Sequence, residues 1–299
     1  MQGLALLIPG GTGQLGSDLA AAAPDGLVRA MGSAELDITD VGAVLGAVTG
    51  FAELAREERL RPVVINAAAF TAVDDAEDAE DMAFTVNSDG PRVLAAACSS
   101  HRLPLVQVST DYVFDGEARS PYRPDDVARP TTAYGRTKLV GEDAVLRSGA
   151  RAWVVRTSWV YGAVGSNFVK TMVQLERDRD ELSVVDDQRG APTWSADLAA
   201  GLLELADRVT GENPPTERVL HCSGAGETTW CRFAKAIFEE LGADPDRVHA
   251  CTTEEFPRPA PRPAYSVLSG DSWRKAGLTP LRPWREALSA FFARHRGEL

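Results

Sequence analysis

The chain has 299 residues, 44% of them hydrophobic and 25% charged, enough apolar material for one large or two modest domains. A net charge of -12 argues against a nucleic-acid surface, because phosphate binding needs a basic face. No apolar stretch reaches the roughly 18 to 20 residues of a bilayer span. The chain opens without a basic start, an apolar stretch and a small-residue cleavage site, so the expected location is the cytoplasm. Its cysteines, Cys98, Cys222, Cys231 and Cys251, lack paired spacing and are expected as buried thiols rather than a disulfide framework.

Taken in order, short apolar runs alternate with helical patterns. LALLI precedes GQLGSDLAAAA, LVRAM precedes VGAVLGAVTGFAELAREE, PVVINAAA precedes DMAFTVNSDGPRVLAAACSS, and PLVQVST precedes AYGRTKLVGEDAVLR, with WVVRTSWVYG after it. Buried runs without polar alternation, each followed by a long amphipathic segment, predict a doubly wound α/β domain with a parallel sheet. From about Gly165 the texture changes: NFVKTMVQLERDRDELS and SADLAAGLLELADRVTG read as helices, VVDDQRGAPTW as strand and loop, and VLHCSG as a shorter strand. TTWCRFAKAIFEELG follows, then a proline-rich run, FPRPAPRPAYSVL, and a last helix from about Trp284. The proline run reads as an ordered loop over a ligand, or as a linker. Residues 1–165 are expected to form a dinucleotide-binding Rossmann domain. Residues 166–299 are expected to form mainly a smaller α/β substrate-binding region, with 183–210 returning to the first domain.

Gly10, Gly13 and Gly16 lie between the first strand and first helix, the context in which a glycine motif signals dinucleotide binding. Glycines let the backbone approach a pyrophosphate, and the following helix offers unpaired N–H groups and a positive dipole end. About 20 residues further on, an acidic side chain commonly binds the adenosine ribose. Asp37 stands near that distance, although Thr39 and Asp40 also suit a helix cap.

Tyr134 and Lys138 sit one helical turn apart and share a face. A free phenol is a poor proton donor at neutral pH. A charge about 4 Å away at an effective dielectric of about 20 is worth ~4 kcal/mol, so an adjacent ammonium is expected to lower its pKa. Thr110 ends PLVQVST, at the carboxyl edge where ligands of open α/β sheets bind, and its hydroxyl is placed to hold a substrate oxygen.

In this order, the glycine loop, NAAA, Ser109-Thr110 and the tyrosine–lysine pair resemble the extended short-chain dehydrogenase/reductase family. LDITD, VVINAAAFTAVDDAE, VNSDGP, STDYVFDG, AYGRTKLVGE, RTSWVYG, NFVKTM, VVDDQRGAPT, AGETTW and RPAYSVL together look like the dTDP-4-dehydrorhamnose reductases, over nearly the whole chain. The resemblance implies an enzyme that passes hydride from NADPH, or NADH, to the C4 ketone of a dTDP-4-keto-6-deoxy sugar. It implies that Tyr134 gives the proton, Lys138 binds the nicotinamide ribose and tunes the phenol, and Thr110 orients the carbonyl. The cofactor is expected along Gly10, Gly13, Gln14, Leu15 and Gly16, with Asp37 and Ile38 near adenine and Ala67, Ala68, Ala69 and Thr71 along its length. Asn87 matches a helix asparagine that supports the site. Val73, Asp111, Tyr112 and Trp159 match positions around the sugar; Asn167, Arg258 and Arg262 are the diphosphate candidates, Arg262 the better arginine.

One departure concerns the glycine loop: relatives begin it with threonine, whereas Pro9 here removes a backbone N–H and fixes an angle. Sugar-nucleotide dehydratases follow the threonine with Asp-Glu, but Tyr112 follows Asp111 here, which favours reduction. Epimerase-reductases use a nearby cysteine that STDYVF lacks. A non-catalytic NADP-binding subunit on the same scaffold is the other class to weigh, and the retained Thr110, Tyr134 and Lys138 argue against it. Some relatives are implied to dimerise through magnesium held by acidic residues near the C-terminus. No acidic cluster here matches, so Mg2+ and a homodimer stay open, as do the exact sugar and the preferred nicotinamide.

Overall fold

The computed structural model describes residues 3–24 and 26–297; residues 1–2 and 298–299, the outer ends of the two expected domains, lie outside it. The first half runs β1 (Leu4–Pro9), α1 (Gln14–Ala22), β2 (Leu27–Met31), α2 (Val41–Glu57), β3 (Arg61–Asn66), α3 (Asp75–Asp78), α4 (Glu80–Phe84), α5 (Gly90–His101), β4 (Leu105–Thr110), α6 (Ala133–Arg147) and β5 (Ala152–Thr157). β6 (Val160–Tyr161), α7 (Phe168–Asp178), β7 (Leu182–Val185), β8 (Arg189–Gly190), β9 (Thr193–Trp194), α8 (Ser195–Thr210) and β10 (Val219–His221) follow. The chain closes with β11 (Thr228–Thr229), α9 (Trp230–Leu241), β12 (Val248–Cys251), α10 (Asp271–Lys275) and α11 (Trp284–His295).

The central sheet has six strands in the order β10-β5-β4-β3-β1-β2, all parallel. This is the doubly wound sheet read from the apolar runs. The order in which strands are added reverses between β1 and β3, and ligands of open α/β sheets bind beyond the carboxyl ends at such a switch point. One face is covered by Leu19 of α1 with Leu198, Leu202 and Leu205 of α8. Phe51 of α2 and Val93 and Leu94 of α5 pack on the other. A separate core gathers Val169, Phe233, Ile237, Leu288 and Phe291 from the later helices. Segments after residue 165 thus return to the first sheet through α8 and β10, while β7 pairs with β12 outside it.

The predicted helix over DMAFTVNSDGPRVLAAACSS is divided: a π turn, Thr85–Asp89, separates α4 from α5. Pro91 supplies no N–H for a regular helical bond, and the widened turn accommodates that loss. Pro9 is the last residue of β1, opposite Met31, and its carbonyl accepts from the Ala67 N–H at 3.0 Å. The cysteines are free thiols, three buried and Cys251 partly exposed. Among the described residues no helix is long and apolar enough to cross a membrane.

Candidate active site

One cavity of about 640 Å³ lies over the carboxyl ends of the central strands. The loop after β1 forms one end of it, with Gly10, Gly13, Gln14, Leu15 and Gly16, while Asp37 and Ile38 line the side beyond β2. Gly10 has φ +78, and a Cβ there would stand 2.5 Å from the Ala68 nitrogen, so a side chain would both strain the turn and collide with the next loop. Ala67, Ala68, Ala69, Thr71 and Val73 continue the wall after β3. Thr110, Asp111, Tyr112, Tyr134, Lys138, Trp159 and Asn167 complete the set that the structure brings together.

Asp37 accepts from both the N–H and the hydroxyl of Thr39, at 2.9 and 2.8 Å, and those bonds hold its carboxyl below the usual range. The cap of α2 is Asp40, which accepts from the Ala43 N–H. Asn87 stands behind the cavity: its amide brackets the Phe70 backbone and donates to the Thr137 hydroxyl at 3.2 Å. It thereby ties the Ala67–Thr71 wall to α6, whose first turn is capped by Thr132 accepting from the Gly135 N–H. Asn167 caps α7 through its side-chain oxygen and donates from its nitrogen to Gln14 and to the Gly162 carbonyl.

Lys138 is 4% exposed and donates to the Val108 carbonyl at 2.7 Å. Burial pulls its ammonium down to about 8, against the opposing charge of Glu142 one turn on. Tyr134 differs from its expected state. Burial pushes the phenol up to about 12, the Thr110 hydroxyl opposes this and Asp111 adds to it. The Lys138 ammonium is turned to the strand carbonyl. The Thr110 hydroxyl accepts from the Tyr112 N–H and donates to Asp111 at 3.0 Å. Burial lifts the Asp111 carboxyl to about 6 despite the neighbouring Ser266 and Thr110 hydroxyls. Tyr112 packs edge-on against Tyr134, ring centres 5.5 Å apart.

Arg258 and Arg262 do not line this cavity. Both pair with Asp74, at 2.6 and 2.8 Å, and the Ala260 N–H also reaches that carboxylate. Although burial acts the other way, the Ala260 N–H and the two guanidiniums hold Asp74 below the usual carboxylate range. This anchors the proline run to the segment after β3. Arg262 remains near enough to Tyr112 for its charge to oppose the raised pKa of that phenol.

The sequence reading gave no role to Asp74, Thr157 and Trp230, and named Ser109 only as the residue beside Thr110. Ser109, the penultimate residue of β4, and Thr157, the last of the paired strand β5, line the cavity. Trp230 lines it from the far part of the chain, its indole stacked on Trp159. The AGETTW stretch held the only sequence signal for Trp230. Among the described residues, Ser109 Oγ, Asp111 Oδ2 and Thr157 Oγ1 are buried without a hydrogen-bond partner. Buried polar groups are nearly always paired, so a ligand is the natural partner for these. The cavity's size suits a bound cofactor and substrate. Among the described residues, no group of three or more His, Cys, Asp or Glu side chains could hold a metal ion.

Residues 4–296 match the family described as RmlD substrate binding domain. The chain belongs to that family. Its relatives include a dTDP-4-dehydrorhamnose reductase of Streptomyces griseus, 46% identical, with 96% of this chain and 92% of the relative covered. A probable dTDP-4,6-dihydroxy-2-methyloxan-3-one 4-ketoreductase of Streptomyces antibioticus is 45% identical, with 96% and 94% covered. Among solved structures, a dTDP-4-dehydrorhamnose reductase of Bacillus anthracis in complex with NADP is 34% identical with a TM-score of 0.88, covering 98% of this chain and all (100%) of that one.

Proposed function

We propose that this chain is an oxidoreductase that reduces the C4 ketone of a dTDP-4-keto-6-deoxy sugar, dTDP-4-dehydrorhamnose first among them, using NADPH. The observation that carries the reading is the meeting of the glycine loop, the Ala67–Thr71 wall and the Thr110, Tyr134 and Lys138 side chains around one cavity. The relative solved with NADP supports the choice of nicotinamide. The glycine cradle and the unpaired Ser109, Asp111 and Thr157 atoms fit a bound dinucleotide and a polar substrate. When bound, the nicotinamide supplies the hydride.

The protein's own part is proton delivery and orientation. Tyr134, with its pKa pushed up to about 12, remains protonated and donates to the oxygen that becomes a hydroxyl. Lys138 is cationic below about 8, and its charge favours loss of that proton when it turns from Val108 toward the site. Thr110 holds the carbonyl oxygen by turning its one hydroxyl proton from Asp111 to that oxygen. Val73, Tyr112 and Trp159 surround the sugar, and Asn167 and Arg262 face the diphosphate, Arg262 by exchanging its Asp74 contact.

A second reading of the substrate rests on the Streptomyces antibioticus relative, whose 45% identity stands beside the 46% of the dTDP-4-dehydrorhamnose reductase of Streptomyces griseus: a different dTDP-4-keto deoxysugar would then be reduced. The test is a panel of dTDP-4-keto sugars, each assayed with NADPH and NADH by loss of nicotinamide absorbance. Fastest turnover of dTDP-4-dehydrorhamnose with NADPH supports the first reading, and fastest turnover of another member the second. NADPH binding with no turnover across the panel would identify a non-catalytic subunit.

A further inference from the structure

The parallel ladder between β3 and β4 ends at the pair Asn66 and Gln107. Beyond it the strands part, and Ala67, Ala68 and Val108 become wall of the cavity. A sheet that splits leaves backbone groups without ladder partners, and buried ones need others. Two buried side-chain amides supply them here. The Ala68 N–H donates to Asn66 Oδ1 at 3.1 Å, Asn66 Nδ2 donates to Gln107 Oε1 at 2.8 Å, and Gln107 Nε2 donates to the Val108 carbonyl at 2.9 Å. The direction of this chain is fixed at both ends. A backbone N–H only donates and a carbonyl only accepts, so each amide has one orientation that satisfies both of its neighbours.

The carbonyl that ends the chain is also the one that holds the Lys138 ammonium, at 2.7 Å. Two donors therefore share one oxygen, which the two lone pairs of a carbonyl allow. They differ in mobility. Gln107 lies one residue away on the same strand and its amide is pinned by Asn66, whereas Lys138 reaches over from α6 on a flexible four-carbon stem. One donor stays and the other is free to leave. When the ammonium turns to a ligand in the cavity, the Val108 carbonyl keeps its glutamine, and no buried acceptor is stranded.

We propose that Gln107 is a positioning residue for Lys138: by keeping the Val108 carbonyl hydrogen-bonded, it releases the ammonium to turn into the cavity and meet the nicotinamide ribose. The inference rests on the reductase reading above and extends it to a residue that is not part of the cavity wall. With an apolar side chain at position 107, departure of the lysine would strip the carbonyl of both these donors. The ammonium would then stay on the strand.

Gln107→Met keeps the length of the side chain and takes away the donor. NADPH affinity is measured by fluorescence titration for this change in two backgrounds, the wild type and Lys138→Met, with urea midpoints as the check on folding. In the wild-type background the affinity is expected to fall about ten-fold; in the Lys138→Met background, which has no ammonium to release, it should fall by less than about two-fold. Damage to the end of the β3–β4 ladder as such would weaken NADPH alike in both. Should the methionine protein not fold, Gln107→Val, a β-branched residue suited to a buried strand, goes through the same pair of titrations. Equal losses in the two backgrounds, or no loss in the wild-type background, overturn the role of Gln107. Wild-type protein that binds no NADPH would overturn the reductase reading, and this inference with it.

Discussion

Neighbouring residues of the same two strands treat buried polarity in opposite ways. Arg156, in β5, is buried with Glu142 of α6, which accepts from its guanidinium at 2.9 and 2.7 Å, and it also lies over the Phe114 ring. One residue on, the Thr157 hydroxyl is buried with no partner among the described residues, as are the Ser109 hydroxyl and one carboxylate oxygen, Oδ2, of Asp111 beside it. The difference separates structure from site. A closed ion pair satisfies its own groups and fixes α6 against the sheet, whereas the open cluster leaves bonds for a ligand to complete.

That contrast predicts opposite responses to similar changes. Glu142→Gln removes one partner of a buried pair and leaves the arginine charge uncompensated, which costs about 3–5 kcal/mol. Urea unfolding should show this as a large drop in midpoint; a midpoint near wild type would mean the pair is not a structural anchor. Asp111→Asn should do the reverse. The folded carboxyl titrates near about 6 against 3.8 for the ordinary group, so the fold binds the extra proton between these values. Wild-type stability from this residue is therefore greatest below 3.8 and declines as pH rises through about 6, by about 3 kcal/mol in all. The asparagine protein should lack that decline and be the more stable of the two above neutrality, while turning over sugar poorly. Unfolding curves across this pH range would contradict the comparison if the variant were the weaker throughout. The smallest effect is expected at Arg262→Ala, where the Michaelis constant for the sugar nucleotide should rise about ten-fold, or ~1.4 kcal/mol, with little change for NADPH. Equal changes for both would place Arg262 in the scaffold with Asp74.

Much of this was legible in the sequence for local reasons. The runs LALLI and PLVQVST are too apolar and short for anything but buried strands, and both are central. The glycine loop and the one-turn spacing of Tyr134 and Lys138 follow from backbone geometry, so their meeting in one cavity was foreseeable. Tertiary partners were not. Trp230 meets Trp159 only because the start of α9 is brought against the segment after β5, and Asp74 captures Arg258 across 184 residues. The direction of the Tyr134 shift escaped for the same reason: spacing places Lys138 on the phenol's face, but not where its ammonium finds a hydrogen-bond acceptor. The π turn at Asn87 was hidden within an amphipathic pattern that reads as unbroken helix.

The central claim is that the Tyr134 phenol delivers the proton in a cavity shared with the nicotinamide. Its most direct test compares the wild type with Tyr134→Phe for NADPH affinity and for turnover of a dTDP-4-keto-6-deoxy sugar. The account predicts NADPH binding within about two-fold of wild type and turnover lower by about 10²–10⁴-fold, the range for a lost general acid. Turnover at the wild-type rate in a protein without that phenol would contradict it.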